Sequence, residues 1–188
     1  MKVYLASQSP RRQALLKQIN IAFDTLLFDI DETPKSGENA EQMVLRLARA
    51  KATKGWQHNQ RTAHLPVLAA DTIGLLAENI LLKPQNKTDF VTMLSSMSGK
   101  THQVLTAVAV CFNGNCESII SKSMVTFAKL SQAEILDYWD SGEPRDKAGG
   151  YAIQGLGGRF VTRIEGSYSG IVGLPLYQTW KLLQKVRQ

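Results

Sequence analysis

The 188-residue chain predicts a single α/β domain on a mixed sheet flanked by helices. Three observations carry that prediction. Apolar strand segments alternate with segments of helical spacing, which implies strand-to-helix crossovers. Two long strand segments meet at Asn113-Gly114, a two-residue hairpin signal, and a mixed sheet accommodates both kinds of connection. With 44% hydrophobic residues, a chain of this length buries a full core as one domain over residues 1–188.

The opening strand spans about 2–7 and the first helix 10–19, with Ser9 as N-cap and Pro10 at the first helical position. The N–H groups and positive dipole end of such a turn favour phosphate. Arg11 and Arg12 oppose that dipole unless an anion pairs with them, the alternative being a solvated helix start. Residues 21–28 suit a second strand, followed by acidic loop chemistry at Asp29, Asp31 and Glu32. Residues 39–55 return to helical spacing, with Met43, Val44, Leu47 and Ala48 inward, Arg46, Arg49 and Lys54 outward, and Gly55 as the stop. Lys51, one turn after Leu47, falls at the edge of the buried stripe.

Residues 67–76 are a nearly continuous apolar strand, returning through 77–79 to a strand over 80–84, with a helix over 88–97. Strands follow at 101–112 and 116–128, then a helix through Trp139 with Ser131 and Glu134 as its capping box, stopped by Gly142 and Pro144. Nine of the 14 glycines lie between Gly142 and Gly173, a loop-rich stretch broken by a strand over 159–165. Pro175 opens the last helix, whose packed stripe reads Leu176, Trp180, Leu183 and Val186.

The net charge of +6 suits an acidic ligand, but Lys and Arg are scattered without a long basic run, which favours a nucleotide over nucleic acid. No apolar run approaches the roughly 20 residues that span a bilayer, so no membrane role and a cytoplasmic location are expected. The two cysteines, Cys111 and Cys116, flank the Asn-Gly turn. They face each other if it forms, and in a cytoplasmic chain they are expected as reduced thiols.

Asp71 is the sharpest chemical candidate, because an ionised carboxylate inside an apolar strand costs several kcal/mol unless compensated. Its compensation is either a hard divalent cation or Lys83, brought near by the return strand; the plainer reading is an exposed strand end. Mg²⁺, with few carboxylates plus waters and phosphate oxygens, matches the scattered acids. Glu32 beside Asp31 is a second metal or water contact, or a solvated loop acid. Lys51 and Lys83 read either as phosphate neutralisers or as surface lysines. Gln154, in the glycine-rich stretch, offers a paired donor and acceptor that suits a base edge, although glycines also serve ordinary turns. His58, His64 and His102 have no metal or triad spacing and read as structural.

These residues sit in a series of motifs: Ser7-Gln8-Ser9-Pro10-Arg11-Arg12, Leu-Arg-Leu-Ala-Arg-Ala-Lys-Ala at 45–52, Ala-Asp-Thr at 70–72, Leu-Lys-Pro at 82–84 and Ser-Gly-Lys-Thr-His at 98–102. Asp-Lys-Ala-Gly at 146–149, Ile-Gln-Gly-Leu-Gly-Gly at 153–158 and Ile-Val-Gly-Leu-Pro-Leu at 171–176 follow. In that order and over the whole chain they resemble the Maf family of nucleoside triphosphate pyrophosphatases, within it the branch acting on dTTP and UTP. The resemblance implies a strongly bent mixed sheet of the Maf/ITPase-like kind with a central nucleotide-binding cleft, hydrolysis to monophosphate and pyrophosphate, Mg²⁺ or Mn²⁺ as cofactor, and a homodimer. It implies Asp71 as proton acceptor, Ser7, Arg12, Lys51 and Lys83 on the triphosphate, and Glu32 with Asp71 near the metal. Arg11, Thr72 and Gln154 mark the branch, which carries Trp, Gln and Glu there when the substrate is 7-methyl-GTP. Gln8 departs from the small residue common between the two serines. A non-catalytic regulator of cell division that senses nucleotides or binds nucleic acid is the rival expectation.

Overall fold

The structure is a computed structural model that describes residues 1–186. Strand β1 (Lys2–Leu5) pairs in parallel with β2 (Ala22–Thr25), Lys2 opposite Ala22 and Leu5 opposite Thr25. On its other edge it pairs in parallel with β3 (Val67–Leu76) through Tyr4–Val67 and Leu5–Leu68. Helix α1 (Pro10–Gln18) connects β1 to β2, and α2 (Ala40–Trp56) leads into β3. Strand β4 (Asn79–Leu81) folds back antiparallel on β3 and α3 (Lys87–Met97) follows. Then come β5 (Thr101–Phe112), β6 (Asn115–Phe127), α4 (Gln132–Asp140), β7 (Val161–Glu165) antiparallel to β6, α5 (Tyr168–Val172) and α6 (Leu176–Lys185). The strand order is β2-β1-β3-β5-β6-β7 with β4 beside β3, a seven-stranded mixed sheet in an α/β fold, as predicted.

The chain forms two compact units: residues 1–71, 106–121 and the stretch from Gly173 make the first, and residues 72–105 and 122–172 the second. In the first, Val3, Leu5, Leu16, Val44, Ala48, Ala52 and Val67 to Ala70 are fully buried. Gly55 is buried inside α2 rather than ending it. A Cβ there would lie 2.8 Å from Val67 Cγ1 and 3.2 Å from Ala6 Cβ, so its missing side chain lets the helix pack closely at that point. The second unit is built around Phe90, Leu94, Met97, Phe127, Tyr138 and Phe160. Tyr138 meets Phe160 edge to face at 5.1 Å.

Several boundaries move, for local reasons. The second strand keeps only four of the eight predicted residues, since Phe28 turns its ring towards Gly55 and the His58 ring. Arg159 and Phe160 leave the last strand for a 3₁₀ turn, Leu156–Phe160, whose Phe160 carbonyl accepts from the Ala128 amide at 2.8 Å. Helix α5, read from sequence as loop, is started by Ser167 Oγ accepting from the Gly170 amide at 3.0 Å. In α6 Leu183 is buried as predicted, but Thr179 and Leu182 complete the packed stripe and Trp180 is 40% exposed.

Asn113 and Gly114 both take positive φ, 51° and 79°, as the tight hairpin between β5 and β6 requires. Cys111 and Cys116 thereby come opposite each other, Cα atoms 4.1 Å apart. Their sulfur atoms meet across the hairpin.

Candidate active site

The first unit gathers six of the predicted site residues: Ser7, Arg11, Arg12, Glu32, Lys51 and Asp71. Lys51 follows the buried Leu47 and Ala48 by one turn of α2, which aims it along the edge of the packed face towards β3. Its Nζ donates to Asp71 Oδ1 at 2.7 Å and lies 2.6 Å from Glu32 Oε1. Asp71, 9% exposed in the middle of β3, is thus compensated by Lys51. The Lys83 partner anticipated from the hairpin is not formed among the described residues. Strand β4 ends with Leu81 opposite Gly74, the Leu82 carbonyl then accepts from the Gly149 amide at 3.1 Å, and Lys83 is exposed.

Glu32 belongs to an exposed acidic loop that is tied down at both ends. Asp31 Oδ1 accepts from the Thr33 amide at 2.9 Å, Lys54 Nζ donates to the Asp29 carbonyl at 2.6 Å, and Arg46 grips Glu38 through Nε and Nη2 at 2.6 and 2.7 Å. Arg46 Nη2 also donates to the Thr33 carbonyl at 3.1 Å. The sequence placed Arg46 and Lys54 on a solvated face. The one local signal for the pairing is Glu38, eight residues before Arg46.

At the start of α1, Ser9 occupies the N-cap position with extended backbone and Pro10 follows, but the Ser9 side chain makes no capping bond. Ser7 organises the turn instead: its Oγ accepts from the Ser9 amide at 3.3 Å and from Arg12 Nη1 at 3.1 Å. Arg12 Nε donates to the Gly173 carbonyl at 2.9 Å. Burial lowers the Arg12 pKa from its ordinary value. Asp71 pulls it back up, Arg11 lowers it further and Glu32 raises it, so one electrostatic neighbourhood contains all four groups. Arg11 is half-buried beside it.

Thr72, Lys83 and Gln154 belong to the second unit: Thr72 half-buried in β3, Lys83 exposed after β4, and Gln154 exposed in a glycine-rich turn. The described residues hold no group of three or more His, Cys, Asp or Glu side chains arranged for a metal. Asp71 and Glu32 nevertheless converge on a single point, presently the Lys51 ammonium. Two carboxylates aimed at one cation fit an ion that completes its shell with water and phosphate oxygens. No helix among the described residues is long and apolar enough to cross a membrane.

A family model described as Maf-like protein matches residues 2–186. The chain is 53% identical over 183 residues to the dTTP/UTP pyrophosphatase of Pseudoalteromonas atlantica, covering 97% of this chain and 95% of that one. To the proteins of the same name from Photobacterium profundum and Methylobacillus flagellatus it is 48% identical over 188 residues and 50% over 183. Those alignments cover 98% and 97% of this chain, and 96% and 92% of theirs.

Proposed function

Because the chain belongs to the Maf family, we propose that it hydrolyses dTTP and UTP between the α and β phosphates, releasing the nucleoside monophosphate and pyrophosphate in the cytoplasm. The observation that carries this reading is the convergence of Asp71, Glu32 and Lys51, with Arg12 held by Ser7 in the same electrostatic neighbourhood.

In this reading water attacks the α-phosphorus, its oxygen forming the new P–O bond as the bond to the bridging oxygen breaks. Pyrophosphate departs with the electron pair. Asp71 takes the proton from the water, and its partial burial holds it in one orientation. Lys51 keeps the two carboxylates in register and, with Arg12 and Lys83, offsets charge on the phosphates. Ser7 fixes the guanidinium plane of Arg12. Asp71 and Glu32 would hold Mg²⁺ or Mn²⁺, which supplies charge stabilisation to the phosphate oxygens when bound. Most of the acceleration is then positioning and electrostatics, as is general for phosphoryl transfer. Arg11, Thr72 and Gln154 select the nucleotide, the Gln154 amide matching the N3–H and an adjacent carbonyl of thymine or uracil, a pattern cytosine lacks.

The test is to incubate the protein with a panel of nucleoside triphosphates and Mg²⁺ and to quantify pyrophosphate, phosphate and monophosphate. Metal-dependent pyrophosphate release from dTTP and UTP is expected. Stepwise phosphate release, or salt-sensitive nucleic-acid binding without any hydrolysis, overturns the reading.

A further inference from the structure

The second unit contains a hydrogen-bonded carboxylate–phenol pair, the phenol buried and the carboxylate half-buried, that the proposed reaction does not use. Tyr138 is fully buried, and its hydroxyl donates to Glu143 Oε1 at 2.7 Å while accepting from the Ala152 amide at 3.0 Å. Glu143 Oε1 also accepts from the Gly157 amide at 3.0 Å, and its Oε2 from the Leu156 amide at 3.0 Å. One side-chain pair therefore holds the backbone at 152, 156 and 157. Gln154 stands between those anchors with its side chain exposed. The loop carries no bulk that would keep it from this approach: a Cβ on Gly155 would lie 2.2 Å from Glu143 Oε2, and one on Gly157 2.6 Å from the Tyr138 hydroxyl.

We propose that Glu143, with Tyr138, is a positioning residue for nucleotide selection, clamping residues 152–157 so that the Gln154 amide is presented in one orientation to a pyrimidine base. The inference rests on the dTTP/UTP reading and assigns the glycine run its purpose. A two-bond match between an amide and a base edge discriminates only if the amide is already fixed, since a free one turns end for end and offers cytosine the reversed donor–acceptor pattern. A carboxylate suits the clamp because it accepts on both oxygens, and hydrogen bonds to a charged acceptor are about twice as strong as neutral ones. Burial pushes the Glu143 carboxyl up, but the Tyr138 hydroxyl and the two amides outweigh it and leave the group below its ordinary value. The clamp is therefore ionised at neutral pH.

Glu143→Gln tests this at nearly constant shape, because its NH₂ group then faces a backbone N–H, donor against donor. Tyr138→Phe removes a single hydroxyl and serves if the first variant does not fold. Two readouts are needed on the full chain: hydrogen exchange of the 152–158 segment without nucleotide, and kcat and KM for dTTP, UTP and dCTP. Each variant should speed exchange in that segment and cut the preference for dTTP over dCTP by about tenfold, the size expected for one charge-assisted hydrogen bond. The loss should fall on the KM for dTTP. Glu143→Gln added to Gln154→Ala should then reduce selectivity no further. Unchanged exchange, retained selectivity, or a fall in kcat shared by all nucleotides overturns the clamp. Absence of dTTP and UTP preference in the parent protein instead overturns the functional reading, and the selection role with it.

Discussion

Lys51 carries one positive charge and faces two carboxylates, so its removal leaves Asp71 uncompensated inside β3. Lys51→Met should destabilise the protein by about 2 kcal/mol as well as abolish turnover, because a buried acceptor then lacks its donor. Lys83→Met, at an exposed position, should leave the melting temperature almost unchanged while weakening the use of dTTP and UTP alike. Thermal unfolding alongside a turnover assay separates the two lysines. Asp71→Asn keeps the shape but not the base, and should cost about 10²- to 10⁴-fold in kcat. Parental activity in that variant would remove Asp71 from the proton-accepting role. Asp71 was legible in the sequence because a charge in an apolar run stands out. Its partner was not: the return strand pointed to Lys83, and Lys51 takes that place because of where α2 lies against β3 and where β4 ends.

The start of α4 was legible from its capping box, whereas the start of α5 at Ser167 was not. Ser131 Oγ accepts from the Glu134 amide at 3.3 Å and Glu134 Oε2 from the Ser131 amide at 2.8 Å, the reciprocal cap read from the sequence. Ser131→Ala should cost about 1 kcal/mol in denaturant unfolding, with no effect on the activity of the folded protein. Asn39 and Gln42 cap α2 in the same reciprocal way, with both bonds at 2.9 Å. That cap sets where α2 begins, and with it the position of Lys51 three turns on. The glycine-rich stretch was legible only as loop. Its order comes from side chains of α4 and the following 3₁₀ turn, Glu143–Asp146, and no local pattern within 153–158 announces them.

Across the molecule, acid sensitivity should be governed first by His102. It is 1% exposed, with Nε2 2.8 Å from the Tyr151 hydroxyl and the Phe127 ring edge-on at 4.9 Å. Burial drives its pKa from 6.5 down to about 4. Above pH 6.5 the ring is neutral folded or unfolded and contributes no pH dependence. Between 6.5 and about 4 the unfolded chain takes the proton and the folded chain does not, so stability falls with pH, by about 3 kcal/mol in all. Below that window the lowered carboxyls of Glu143, Glu38 and Glu134 lose their own stabilisation. Urea unfolding at pH 7 and pH 4.5 measures the effect, and His102→Asn should flatten the slope between those points. The sequence marked His102 as structural, which its packing bears out. The titration window follows from burial that only the folded core supplies.

What the sequence by itself determined is most of the elements, the order of the motifs and the residue types that phosphate chemistry requires, because periodicity, caps and turn residues act over a few positions. The tertiary structure decided which of those residues meet. It chose Lys51 over Lys83 for Asp71, tied the acidic loop around Glu32 to α2 through Arg46 and Lys54, turned Trp180 outward and bound Glu143 to the amides of Leu156 and Gly157. Each depends on strand register or helix rotation, where a shift of one residue changes the face presented, and such shifts are settled by packing between segments far apart in the chain.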